Sequence, residues 1–167
     1  MLTEDEFTRY HRQIIFPDFG AEGQERLKKA HTLIAGVGGL GSPAAIYLAS
    51  AGVGKITIVD SDPVELSNLN RQILHWEEDV GQQKVLSAEK KLQRMNSTGN
   101  IVPLAKRLDM KNAGELLDGV SIAVDCLDNF ETRFILNQAC IQNDVPLIHG
   151  GINGLKGEIT TIIPGQT

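Results

Sequence analysis

Cysteine is nearly missing from the sequence: Cys126 and Cys140 are the two thiols in 167 residues. Two cysteines cannot build a disulfide framework. Both lie in apolar runs, where a free cysteine is ordinarily a buried, inert thiol. An excess of positive charge is missing as well. Sixteen Lys and Arg face 21 Asp and Glu, for a net charge of −5. That balance argues against a general nucleic-acid-binding protein, which needs a basic footprint, but leaves room for a local basic pocket around one anionic ligand. No apolar stretch follows a basic start, so no secretory signal is read. No apolar run approaches the roughly 18 residues of a membrane span. There is no internal repeat and no low-complexity tract. These absences lead us to expect a cytoplasmic protein with neither nucleic acid nor membrane as partner.

What is present is ordinary globular material. Hydrophobic residues make up 41% and charged residues 22%, richer in apolar residues than a disordered chain. The length predicts one domain. A domain of this size hides roughly 70% of its unfolded surface, enough for a core without disulfide or metal. The 17 glycines are clustered rather than scattered.

Residues 1–30 read as a polar N-terminal helical arm. Thr3 and Glu6 have capping-box spacing, opening a helix to about Ile15 that Pro17 and Gly20 break; a short helix follows over 23–30. Residues 31–167 read as strands alternating with helices. Strands are predicted at 31–37, 55–59, 101–105, 120–127, 145–149 and 158–163, with helices at 42–51, 82–95, 112–117 and 130–143. In the last of these, Phe130, Phe134 and Ile141 share one face. A glycine-rich turn is expected after His149. This alternation predicts a Rossmann-like, doubly wound α/β fold, a mostly parallel sheet with helices on both faces.

Gly36, Gly38 and Gly41 fit G-x-G-x-x-G between the first strand and the next helix. The first glycine permits the turn, the second lets backbone approach a phosphate, and the third lets helix and strand pack closely. The helix N-terminus adds free N–H groups and a positive dipole end. Asp60, at the carboxyl end of the following strand, can accept hydrogen bonds from ribose hydroxyls. A nucleotide site follows, though NAD, FAD and ATP would all satisfy it. Packing alone is the competing explanation of the glycines.

Residues 63–81 form a polar loop long for a plain connection, which itself suggests function. Within and after it come Ser67-Asn-Leu-Asn-Arg-Gln72 and Gly81-Gln-Gln-Lys84. Arg71 and Lys84 are therefore placed on the phosphate side of the site. Two cations favour a triphosphate, whose charge and leaving pyrophosphate need them, over a dinucleotide. Asp128 ends the fourth strand, where a carboxylate can hold Mg²⁺ bridging phosphates. Asp128 and Glu131 also have the spacing of a helix N-cap and its partner.

Taken together, Arg9-Tyr-His-Arg-Gln13, Gly36-Val-Gly-Gly-Leu-Gly41, Asp60-Ser-Asp62, Ser67-Asn-Leu-Asn-Arg-Gln72, Gly81-Gln-Gln-Lys84 and Asp128-Asn129 resemble the MoeB/ThiF/HesA family of ubiquitin-activating-enzyme-like adenylyltransferases. The resemblance covers essentially the whole chain. It implies attack by the C-terminal Gly-Gly carboxylate of a small ubiquitin-like sulfur-carrier protein on the α-phosphate of ATP, in molybdopterin- or thiamine-type sulfur transfer. It implies adenosine contacts at Gly39 and Asp60, with Gly36, Gly38, Gly41 and Asp62 alongside. Asn68, Arg71 and Lys84 would contact the phosphates, with Ser67, Gln72 and Asn129 also at the nucleotide, and Asp128 would hold Mg²⁺. Arg12 matches an arginine that the family inserts into a neighbouring subunit's site, which implies a homodimer. Arg12, Arg71, Lys84 and Asp128 are thus the implied catalytic set. Family members carry two Cys-x-x-Cys pairs for structural zinc beyond the sixth strand. This sequence has no such pair, so no zinc site is expected within it. It would be either a fragment or an unusually short member.

Two other readings compete. One is an NAD(P)-binding oxidoreductase, for which His149 is the only hydride-transfer candidate and which leaves the Asn-Arg loop, Lys84 and Asp128 unexplained. The other is a truncated nucleotide-binding module without turnover.

Overall fold

The computed structural model describes residues 1–166. Among them, helices α1 (Glu4–Arg9), α2 (His11–Ile14) and α3 (Gly20–Lys29) precede strand β1 (His31–Ala35). Then follow α4 (Gly41–Ala51), β2 (Lys55–Val59), α5 (Lys84–Met95), β3 (Asn100–Leu104), α6 (Ala113–Leu116), β4 (Ile122–Asp125), α7 (Phe130–Gln142), β5 (Leu147–Asn153) and β6 (Lys156–Ile162). The sheet order is β3-β2-β1-β4-β5-β6. The first five strands are parallel. β6 turns back antiparallel on β5. The doubly wound architecture read from the alternation is the observed one.

Residue alternation on β1 divides the core. Leu33 and Ala35 pack with Leu116 of α6 and Leu136 and Ala139 of α7 on one face. Ile34 packs with Ala45 and Ala49 of α4 and Val85, Ala88 and Leu92 of α5 on the other. All five residues of β1 are buried, as expected of a central parallel strand covered on both faces.

Several expectations need correction. The Thr3–Glu6 capping box is present, but the first helix stops at Tyr10 instead of running to Ile15. Tyr10 is buried, and its hydroxyl accepts from Asn96 Nδ2 at 2.7 Å. That anchor bends the chain and docks the arm on the sheet domain, helped by Gln13 and Gln24, both donating to the Ala51 carbonyl. Phe130, Phe134 and Ile141 do share a face of α7, and that face is exposed. Helix α7 instead buries Thr132, Leu136, Ala139 and Cys140. The glycines after His149 are not a turn: Gly150 and Gly151 lie inside β5, in register with Ile159 and Glu158. The chain reverses later, at Gly154 (φ 61°), which supplies the positive φ that a two-residue hairpin loop requires.

Candidate functional site

A cleft of about 500 Å³ opens at the carboxyl ends of β1, β2 and β4, where ligands bind in open α/β sheets. The glycine turn forms its floor, and the glycines divide into two kinds. Gly36 sits at φ 88°, and a Cβ there would fall 2.8 Å from the Cys126 carbonyl oxygen. A Cβ on Gly41 would fall 1.9 Å from the Gly36 carbonyl oxygen. The fold itself demands these two. A Cβ on Gly38 or Gly39 would make ordinary contacts, at 3.5 Å to Gln72 and 3.7 Å to Arg71. Both line the cleft, and neither amide has a hydrogen bond within the described residues. Bare backbone with free N–H groups, where the fold does not need it, suits a phosphate approaching closely.

Asp60 stands at the end of β2. Its Oδ2 accepts the Val37 N–H at 2.9 Å, and its Oδ1 accepts the Asp62 N–H at 2.9 Å. A carboxylate has about four lone-pair sites, so an oriented face remains for ribose hydroxyls. Gln72 lines the same cleft; it is buried, and its Oε1 has no hydrogen-bond partner among the described residues.

Positive charge gathers on one wall. Arg71 projects from the polar loop, its Nη1 donating to the Ser67 carbonyl at 3.0 Å and Asn70 Oδ1 at 3.1 Å. Lys84, at the start of α5, is buried, with its ammonium 3.2 Å from Asp62 Oδ2. Lys106 and Arg107, after β3, also line the cleft. Sequence reasoning missed this pair, although its place just past a strand's carboxyl end was the available signal.

Asp128 lies exposed on the rim, with Asn129 Nδ2 3.5 Å from its Oδ1. It is not the helix cap. Asn129 caps α7, its Oδ1 accepting the Thr132 N–H at 2.9 Å, because the turn after Leu127 carries Asp128 one residue too early. One carboxylate facing a phosphate-sized cleft fits Mg²⁺, which is usually held by one or two carboxylates plus substrate phosphates rather than by a protein cage.

Other predicted residues lie elsewhere. Asn68 is buried, its Oδ1 accepting the Glu65 N–H, while the Ser67 hydroxyl donates to Glu65. This closed 3-10 turn at Leu66–Asn68 supports the wall without lining the cleft. Gly41 supports the floor. Arg12 is exposed on α2 and does not line its own chain's cleft. His149, the hydride-transfer candidate, lies on β5 with its Nδ1 2.6 Å from Asp125 Oδ2 and does not line the cleft. Cys126 lines the cleft but is half-buried, while Cys140 is buried in the core. Burial pushes both thiols up to about 12, so both stay protonated at neutral pH.

A model of the ThiF family matches residues 10–167. The chain is 45% identical over 157 residues to a sulfur carrier protein adenylyltransferase from Thermus thermophilus, covering 94% of this chain and 58% of that protein. It is 42% identical over 163 residues to the SAMP-activating enzyme E1 of Haloferax volcanii, covering 98% and 60%. The chain thus spans somewhat over half the length of these relatives. Among solved structures, it superposes with TM-score 0.87 and 26% identity on the E. coli tRNA N6-threonylcarbamoyladenosine dehydratase TcdA in complex with ATP, covering 93% of this chain and 64% of that one.

Proposed function

The chain belongs to the ThiF family, and from that premise we propose that it is an ATP-dependent adenylyltransferase that activates the C-terminal Gly-Gly carboxylate of a small ubiquitin-like sulfur-carrier protein, in molybdopterin- or thiamine-type sulfur transfer in the cytoplasm. The observation that carries this reading is the single cleft joining the fold-unneeded glycines 38 and 39, Asp60, four cationic side chains and Asp128.

The free amides of Gly38 and Gly39 and the N-terminus of α4 receive phosphate. Asp60 orients the ribose. The carrier carboxylate attacks the α-phosphorus: a carboxyl O–P bond forms, the bond to the β-phosphate oxygen breaks, and pyrophosphate leaves. No proton transfer is needed, because the nucleophile is already an anion. Catalysis then comes from alignment and from cations facing the charge on the α-phosphate and the leaving group. Arg71 and Lys84 supply two of them, and Lys106 and Arg107 extend the wall. Mg²⁺, held by Asp128 and the phosphates, would add further neutralisation.

A second cavity of about 590 Å³, between α7 and the β5–β6 hairpin, shares Asp128 with the nucleotide cleft. A Cβ on Gly151 would lie 3.1 Å from Glu158 and 3.2 Å from Arg133. The cavity's place beside Asp128 suits the carrier tail, whose carboxylate must reach the α-phosphate in the adjoining cleft. Arg12, outside its own cleft, would complete the site of a second copy in a homodimer.

ATP–pyrophosphate exchange with a Gly-Gly carrier tests the reading. Exchange is expected in the parent protein and a drop of about hundredfold or more in Asp128→Ala, with unchanged thermal stability because Asp128 is exposed. Nicotinamide reduction in place of exchange would instead support the oxidoreductase. ATP binding without exchange would leave a nucleotide-binding module.

A further inference from the structure

Behind the glycine turn runs a buried line of polar side chains that no step above uses. His75, Ser87, Lys91 and Asp79 are all buried. His75 Nε2 lies 2.9 Å from the Val37 carbonyl oxygen, and its Nδ1 lies 2.9 Å from Ser87 Oγ. Lys91 Nζ donates to Ser87 Oγ at 3.0 Å and pairs with Asp79. Lys91 also sits 4.6 Å over the Trp76 ring.

The Val37 carbonyl sets the proton order that this line requires. A carbonyl oxygen only accepts, so His75 Nε2 carries the proton. Nδ1 of a neutral imidazole then accepts, so the Ser87 hydroxyl donates to it. The ammonium of Lys91, a donor only, fills the acceptor side of Ser87. Burial lowers the pKa of His75 and keeps the ring neutral, as this pattern requires.

The Val37 peptide is the receiving end. Its carbonyl is drawn back to His75, and the peptide is planar and trans, so the Gly38 N–H points the opposite way. The Val37 N–H meanwhile holds Asp60 Oδ2. One residue thus links the floor of the cleft to its acid, and the buried line fixes that residue.

We propose that His75 is a positioning residue of the nucleotide site: the Lys91–Ser87–His75 line holds the Val37 carbonyl and so aims the Gly38 amide and the Asp60 carboxylate at the bound nucleotide. This rests on the nucleotide reading of the cleft. It also assigns the polar loop and α5 a task besides supplying Arg71 and Lys84.

The test measures ATP affinity calorimetrically, and thermal stability in parallel, on the full chain and three variants. His75→Leu removes the donor and is expected to weaken ATP about tenfold. His75→Gln keeps an N–H at the Nε2 position and is expected to return affinity to within about twofold of the parent. Ser87→Ala leaves the core volume nearly unchanged, releases Nδ1, and is expected to give a smaller loss of affinity; it carries the test if His75→Leu does not fold. Side-chain ¹⁵N spectra of the parent should show His75 as the neutral Nε2–H tautomer. Unchanged ATP affinity in folded His75→Leu and Ser87→Ala, with only stability lowered, overturns the positioning role while the nucleotide reading stands. An Nδ1–H tautomer also overturns it. A parent chain that binds no ATP removes both.

Discussion

The glycine-turn half of the sheet and the β5–β6 hairpin are built on opposite terms. Around β1, β2, α4 and α5, side chains are interlocked: the strands are covered on both faces, and the polar groups behind the turn are paired in a directed line. The hairpin is held mainly by its ladder, with seven residues of each strand in register. Residues 156–161 are all exposed, and Ile152, Leu155 and Ile159 face outward. The first region has little freedom to change shape, which suits a site that must hold charges in place. The second offers open backbone and apolar side chains beside the cavity proposed for the carrier tail. The difference places rigidity under the glycine-turn cleft and accessibility along the hairpin, which matches the proposed division between nucleotide and carrier protein.

Substitutions at glycine test this contrast most severely. Gly41→Ala would drive a methyl into the Gly36 carbonyl and is expected to cost about 3 kcal/mol or more in chemical denaturation. Gly157→Ala, whose Cβ would meet its nearest neighbours only at 3.7 and 3.9 Å, should be neutral or stabilise the hairpin by about 0.5 kcal/mol. Comparable losses at the two positions would erase the distinction. Next in size is the ion pair behind the turn. Lys91→Met leaves Asp79 buried without its partner and should cost about 3 kcal/mol. Ile159→Thr, at a site 79% exposed, should shift stability by less than about 0.5 kcal/mol.

The smallest effect is a pH dependence confined to the interlocked half. Burial lowers the pKa values of His31 and His75. The unfolded chain therefore takes up their protons first, near the ordinary histidine value of about 6.5. Stability is complete above that pH and declines as pH falls from it towards the lowered folded values. His75→Gln should flatten part of that decline, as measured by denaturation midpoints at successive pH values. A second decline belongs to Asp79. Burial alone would raise its pKa, but Lys91 and the Trp76 N–H more than reverse this and hold it below its ordinary value. Its contribution is present above the ordinary carboxylate range and is lost as pH falls through the lowered value.

Much of this was legible in the sequence. Strand–helix alternation predicted the parallel sheet, and G-x-G-x-x-G with Asp60 pointed to the end of the sheet where the cleft lies, because turn chemistry and strand-end carboxylates are local signals. Arg71, Lys84 and Asp128 were found through their motif spacing, and the structure brings all three to the cleft. Lys106 and Arg107 were missed because two adjacent basic residues in a loop look like solvated surface until the sheet order puts β3 beside β2. The glycines of β5 were misread as a turn because their strand conformation depends on pairing with β6, which no local pattern encodes. Asp128 and Asn129 exchanged the cap role for a similar reason: either spacing satisfies a helix start, and the path of the preceding strand selects one.

The sequence by itself determined the order of elements, the glycine turn, the acid at the end of β2 and two cations of the wall, Arg71 and Lys84, because each depends on neighbours a few positions away. Only the tertiary structure decided which glycines the fold requires and which are left bare for a ligand. It alone joined His75, Ser87 and Lys91 to Val37 and set Asp128 between two cavities. Those outcomes depend on distances between residues far apart in the chain, which are fixed when β1, β2 and β4 pair and the helices close over them.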